Sequence, residues 1–311
     1  MFSNKIRNIH GIFLLDKPTG ISSNKALQII KKILLSVKAG HTGSLDPLAT
    51  GLLPICIGEA TKFSRYLLQS SKKYRVIAKL GIQTSTLDSC GKIIKISKVC
   101  FNELEYELAL KSFLGKIVQK PPFYSAIKYK GVPLYKYARK GIFIPVKSRF
   151  VKIYSLKSLY KKDNIIELDI TCSSGTYIRS IISDLGKLLK CGAHVIFLRR
   201  SKVSFYSISS SITIDQLKFL KKKYFKKSID CFLKKFSKFL IPIHSLVSYF
   251  PKFYVSKEEF NFIKNGQSVK IFTKLSPGII RIINNKEIFL GLGLLNKKNV
   301  LSPYRLLNYT L

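Results

Sequence analysis

Gly40-His41-Thr42-Gly43-Ser44-Leu45-Asp46-Pro47-Leu48-Ala49-Thr50-Gly51 is the stretch from which the rest of the chain is best read. It places one carboxylate, Asp46, in a tight turn rich in glycine and proline, five residues after a histidine. Asp46-Pro47 also fits a helix start, with the aspartate as cap and the proline at the first helical position. The charge of the surrounding chain brings a second reading forward. The 311 residues carry 55 Lys and Arg against 16 Asp and Glu, a formal net charge of +39. An acid kept in so basic a chain is a candidate catalytic group acting on a polyanion.

This length bounds the chain to one large domain or two smaller ones. A hydrophobic fraction of 46% is enough for a substantial core. The charge predicts a phosphate polymer or an anionic membrane surface as partner. The same composition, rich in Lys, Ile, Asn and Phe with one Met and no Trp, also fits AT-biased coding, with part of the charge on a solvated face. No apolar run approaches the roughly 20 residues a bilayer requires. The apolar stretch 11–15, after Lys5 and Arg7, is too short for a signal-peptide core. Cys56, Cys90, Cys100, Cys172, Cys191 and Cys231 are scattered, without Cys-x-x-Cys or short spacing to histidine. They read as reduced, mostly buried thiols of a cytoplasmic protein, not as a zinc site.

Upstream of the turn, residues 11–15 read as a strand that closes in Asp16-Lys17-Pro18-Thr19. Ser22 or Ser23 can cap a following helix, in which Ala26, Leu27, Ile30, Ile33 and Leu34 form one apolar stripe. Downstream, strands are expected over 74–80 and 92–97, joined by a hairpin-like loop over 85–91. A helix over 104–114 stops at Gly115, and a short helix follows over 134–140. Residues 151–159 and 165–172 fit an antiparallel pair, 176–189 a helix and 193–199 a strand. Strands and helices without strict alternation predict an α+β fold with a mixed sheet. The Lys-dense segment 221–238 reads as a basic helix or a linker. Short strands and turns dominate beyond about residue 250. Two domains are expected, a catalytic domain over 1–240 and a small β-rich domain over 241–311.

Several chemistries lack their motifs. There is no phosphate-cradling Gly-x-x-x-x-Gly-Lys loop, and Gly291-Leu292-Gly293 lacks the third glycine of a dinucleotide fingerprint. No Gly-x-Ser-x-Gly elbow occurs. His10, His41, His194 and His244 lie far apart in sequence. Nothing calls for a cofactor or a metal.

The stretch Ala39 to Gly51 closely resembles the catalytic motif of the TruB family of tRNA pseudouridine synthases. Leu15-Asp16-Lys17-Pro18-Thr19-Gly20, Gly58-Glu59-Ala60-Thr61-Lys62, Lys73-Tyr74-Arg75-Val76, Ser174-Gly175-Thr176-Tyr177-Ile178-Arg179 and Gly192-Ala193-His194-Val195 resemble further family motifs, in order, over about residues 10–205. The C-terminal module resembles a PUA-like RNA-binding domain more weakly. The resemblance implies a mixed-sheet pseudouridine synthase core, no cofactor, and isomerisation of uridine 55 in the T arm of tRNA. In that reaction the glycosidic bond moves from nitrogen 1 to carbon 5 of the base.

For individual residues the resemblance implies that Asp46 is the catalytic carboxylate and Arg179 its charge partner. Tyr74 would stack on a base flipped from its loop, His41 would fill the space it leaves, and Tyr177 and Leu198 would line the pocket. The acid either attacks the base or assists loss of uracil and a ribose proton, and both routes require it ionised. Lys62, Arg65, Lys128, Lys130, Lys136, Arg139 and Lys140 are candidate phosphate contacts. The segment 84–89 departs from a family segment richer in Asp and Thr, and is expected to matter for loop packing, not chemistry. A tRNA-binding and folding role without need for Asp46 is the alternative function, and a monomer is expected.

Overall fold

Residues 12–15 are an unbroken apolar run, the pattern of a strand buried on both faces. In the computed structural model, which describes residues 9–35 and 38–308, they lie in β1 (Gly11–Lys17). Lys5, Arg7 and the chain end at Leu311 lie outside the described residues. Phe13 and Leu15 point into one core, Ile12 and Leu14 into another on the opposite face. β3 (Thr50–Ile57) is divided in the same way, with Leu53, Ile55 and Ile57 on the first face and Leu52 and Cys56 on the second. Between them come α1 (Ser23–Leu34) and the short β2 (Ala39–His41). All five residues of the expected stripe, Ala26 to Leu34, are buried in α1.

β4 (Lys72–Leu80) shows period-two alternation instead. Tyr74, Val76, Ala78 and Leu80 are buried, while Arg75 and Lys79 face solvent. The other strands on the main path of this sheet are β5 (Gly115–Gln119), β6 (Arg149–Lys162), β7 (Ile165–Cys172), β8 (Ala193–Val203) and the two-residue β9 (Ile212–Thr213). Among the described residues they form one mixed sheet in the order β9-β1-β3-β8-β4-β7-β6-β5. β9–β1 and β3–β8 are parallel; the other pairs along this path are antiparallel. The helix α2 (Ile178–Leu188) packs on the same face as α1.

The predicted hairpin takes a different register. Gly81, at φ +84°, ends β4, and the hairpin proper pairs Ile82–Thr84 with Ile93–Ile96. The Lys-dense segment is no linker. It forms α3 (Ile214–Phe225) and α4 (Ile229–Phe236), whose Phe232 and Phe236 are fully buried, with Phe236 5.3 Å from the ring of Phe13. Each such buried ring contributes about 1.5–3 kcal/mol, enough to fix helices whose other faces are lysine. Cys56, Cys172 and Cys191 are buried, but Cys90 and Cys100 are exposed, fewer in the core than expected.

A second sheet is built from β10 (Lys252–Val255), β11 (Val269–Lys270), β12 (Gly278–Asn284), β13 (Phe289–Leu295) and β14 (Val300–Leu306), in the order β10-β12-β13-β14-β11. It covers the back of the first sheet: Ile283, Phe289, Leu292 and Leu307 share a core with Ile12, Leu14, Leu52 and Phe63. That contact explains why β1 and β3 are apolar on both faces while β4 is not. Gly291 belongs to this packing, not to nucleotide binding. A Cβ there would lie 2.5 Å from the Arg305 carbonyl oxygen on the neighbouring strand. No helix among the described residues is long and apolar enough to cross a membrane.

Candidate active site

The loop from Thr42 to Ala49 joins β2 to β3 and carries Asp46. No helix starts there, so Asp46 is not a cap; its carbonyl accepts from Ala49 N at 3.1 Å in a local turn. The loop closes where β3 crosses β8. At Gly51, φ is +107° and a Cβ would stand 2.3 Å from the Arg200 carbonyl oxygen, so only glycine fits. The side chain of Arg200 is itself buried. It donates from Nε to Leu52 O at 2.8 Å and from Nη2 to Gly43 O at 3.1 Å, bridging the two flanks of the loop.

Arg179 reaches the loop from the first turn of α2. The start of that helix is held by Gln119, which accepts from Tyr177 N at 2.8 Å and donates to Tyr177 O at 3.0 Å. Arg179 Nε donates to Asp46 Oδ2 at 2.8 Å and Nη2 to Asp46 Oδ1 at 3.0 Å, a bidentate pair. Its remaining donors go to Thr86 O at 2.7 Å and Tyr124 O at 2.9 Å. Asp88 Oδ2 stands 3.7 Å from Nη1, and Asp88 accepts in turn from the Thr86 hydroxyl and from Cys90 N. The segment 84–89, expected to concern loop packing alone, therefore grips the arginine. Its contribution was missed because a backbone carbonyl and a loop aspartate carry no motif.

The Arg179 side chain is 4% exposed and that of Asp46 34% exposed, so the carboxylate keeps one open side. Burial pushes the Asp46 carboxyl up from the ordinary carboxylate range. The Arg179 guanidinium opposes that rise, Asp88 adds to it, and Lys17 opposes it more weakly. The net direction is upward, and the guanidinium fork is the group that favours the ion. Lys17 is sealed from solvent, with Nζ donating to Pro18 O at 2.7 Å and Ile21 O at 2.8 Å. Burial pushes its ammonium down to about 8.

Tyr74 lies on β4 opposite Arg200 of β8, is 8% exposed, and has its hydroxyl pushed up by burial, with Arg200 opposing. Leu198, two positions earlier on β8, lies opposite Val76 and is buried in the same core as Tyr74. His41 ends β2; its Nδ1 is buried with no hydrogen-bond partner among the described residues. Burial, and then Arg200, hold its pKa below the ordinary histidine value, so the ring is neutral at pH 7. Tyr177 is half-buried, with the Arg149 guanidinium 4.9 Å from its ring centre. Lys128, Lys130, Lys136, Arg139 and Lys140 are exposed. Lys62 and Arg65 are partly exposed and bond within the protein, to Leu306 O at 2.9 Å and to the Tyr66 and Tyr304 hydroxyls. No group of three or more His, Cys, Asp or Glu suited to a metal occurs among the described residues.

Two solved structures share this fold. The crystal structure of a Cbf5-Nop10-Gar1 complex superposes with a TM-score of 0.67 at 26% identity, covering 93% of this chain and 79% of that one. An archaeal box H/ACA Nop10-Cbf5 complex shares the fold with a TM-score of 0.69 at 22% identity, covering 95% and 85%. Family models described as the TruB family pseudouridylate synthase N-terminal domain, the tRNA pseudouridylate synthase B C-terminal domain and the pseudouridine synthase II TruB C-terminal region match residues 31–178, 179–248 and 251–307. The tRNA pseudouridine synthase B of Buchnera aphidicola subsp. Acyrthosiphon pisum is 49% identical over 311 residues, 99% of each chain. That of Psychromonas ingrahamii is 44% identical over 305 residues, 98% of each. The chain belongs to the TruB family of pseudouridine synthases.

Proposed function

We propose that this protein converts uridine 55 in the T arm of tRNA to pseudouridine, with Asp46 as the catalytic carboxylate. The observation that carries the reading is the bidentate Asp46–Arg179 pair, open to solvent on the carboxylate side. An ionised acid with one open side can attack the base, or assist departure of uracil with loss of a ribose proton; both routes begin from the same ion. The target base leaves its stack to reach it. Tyr74 then offers a ring for stacking, His41 occupies the vacated position, and Tyr177 and Leu198 line the pocket. A neutral His41 suits that part, because an uncharged ring enters a base stack at lower desolvation cost.

The exposed cations of 128–140 supply phosphate contacts, and the module from residue 241 onward acts as a PUA-like RNA-binding domain on the catalytic domain 1–240. The protein works as a cytoplasmic monomer. Incubation with a 17-nucleotide T-arm hairpin, followed by mapping of pseudouridine, tests the reading. Conversion at the position equivalent to 55 is expected; none there refutes it.

A further inference from the structure

Two serines in tandem, Ser22 and Ser23, stand at the start of α1, and by sequence either could cap it. Ser22 takes the cap: its backbone is extended and its hydroxyl accepts from Lys25 N at 3.1 Å. Ser23 is released from that duty and turns inward, 3% exposed. Its Oγ accepts from Leu45 N at 2.7 Å and donates to Leu45 O at 3.1 Å. One hydroxyl thus satisfies both backbone groups of the residue next to Asp46. Leu45 is itself buried, so no water stands ready to replace it.

The same turn tethers the other side of the acid. Gly20 N donates to Pro47 O at 2.8 Å, and Thr19 Oγ1 to Leu48 O at 3.0 Å. With the Ala49 amide on Asp46 O, every carbonyl from Leu45 to Leu48 is occupied. An aspartate has only two side-chain torsions, so its carboxylate follows its backbone closely. We infer that Ser23 is a positioning residue for Asp46, holding the loop backbone where the carboxylate meets the Arg179 fork. This rests on the proposed role of Asp46. A misplacement of about 1 Å in such a site costs on the order of 100-fold in rate.

The test compares Ser23→Ala with Ser22→Ala in the full-length protein. Ser22→Ala loses a helix cap and lowers the melting temperature, but touches nothing in the loop. Single-turnover conversion of the T-arm hairpin should fall about tenfold or more in Ser23→Ala, with RNA affinity within about twofold of wild type. Ser22→Ala should keep the wild-type rate. A Ser23→Ala rate equal to wild type, or reduced no more than in Ser22→Ala, overturns the assignment. Two NMR readouts work without turnover: protection of the Leu45 amide from exchange, and the Arg179 Nε–H signal that reports its bond to Asp46. Both should change in Ser23→Ala only; if both stay as in wild type, the inference fails. If wild type converts no hairpin, the functional reading fails separately, and the NMR pair still decides whether Ser23 holds the loop.

Discussion

Asp46 and Arg179 are 133 positions apart in the chain and meet through two parallel hydrogen bonds, Nε to Oδ2 at 2.8 Å and Nη2 to Oδ1 at 3.0 Å. The arginine is buried and spends its other donors on Thr86 and Tyr124 carbonyls. It cannot follow the carboxylate if the loop moves, and so the pair is rigid from the arginine side. An acid held this way keeps one face for a substrate, which is the arrangement the proposed chemistry needs.

Asp46→Asn preserves shape and keeps one of the two hydrogen bonds from Arg179, its amide nitrogen being a donor, and it removes the charge. Turnover of the T-arm hairpin should drop to background while the Kd for RNA changes by less than about threefold. Single-turnover assays and filter binding measure the two separately. Near-normal conversion by this variant would place the acid elsewhere and leave the tRNA-folding role as the better reading.

Arg179→Met removes the cation that opposes the burial-driven rise at Asp46. The carboxyl pKa then goes higher, and less of it is ionised at a given pH. The acid limb of the pH–rate profile should move to higher pH, with a rate loss at neutrality of about 100-fold or more. Arg179→Lys keeps a charge without the fork. It should leave the acid limb closer to wild type, yet remain slow. An unmoved limb in Arg179→Met would mean that the rate does not depend on the Asp46 ion.

Affinity for tRNA should fall steeply with salt if the exposed cations of 128–140 contact phosphates. Five contacts to loop RNA would give a slope of about −3.5 on a log–log plot, and replacing Lys128 and Lys136 by Ala should flatten it by about 1.4. A flat dependence in the wild type would assign the +39 charge to a solvated face of no consequence for binding.

Glu59 ties the second sheet to the first. It accepts from Asn308 N at 2.7 Å and pairs with Lys62 at 2.6 Å, while Lys62 also donates to Leu306 O. Burial alone would raise its pKa, but the Asn308 amide and Lys62 outweigh burial and lower it. A carboxyl lowered on folding stabilises the fold above its unfolded-state pKa, and this contribution disappears as pH falls through the folded value. Glu59→Gln should therefore lose about 1–2 kcal/mol at pH 7 and nothing further in acid, converging with wild type there in thermal melts. A gap between the two that stays constant down to pH 3 would exclude the ionic contribution.

Much of the local structure is legible in the sequence. The apolar run 11–15 signals a strand, and the spacing of Ala26 to Leu34 signals a helix with one apolar face, because local periodicity follows directly from backbone geometry. Asp88, Thr86 and Ser23 were not legible as partners of the site. Each acts through a backbone group or a carboxylate brought from a distant segment, and short-range patterns hold no record of such pairs. The same limit hid that Lys62 and Arg65, plausible phosphate contacts by charge, also bond to the second sheet, to Leu306 and Tyr304, 244 and 239 positions further on.

By itself the sequence determined the strand and helix periods, the excess of positive charge, and the one acid lodged in a glycine-rich bend. Only the tertiary structure decided that this bend caps no helix, that Arg179 closes on Asp46 from another element, and that Ser23 rather than Ser22 holds the loop. The reason is physical: propensity and amphipathicity act over a few neighbouring residues, whereas the position of the Asp46 carboxylate is set by hydrogen bonds that form only once remote segments pack together.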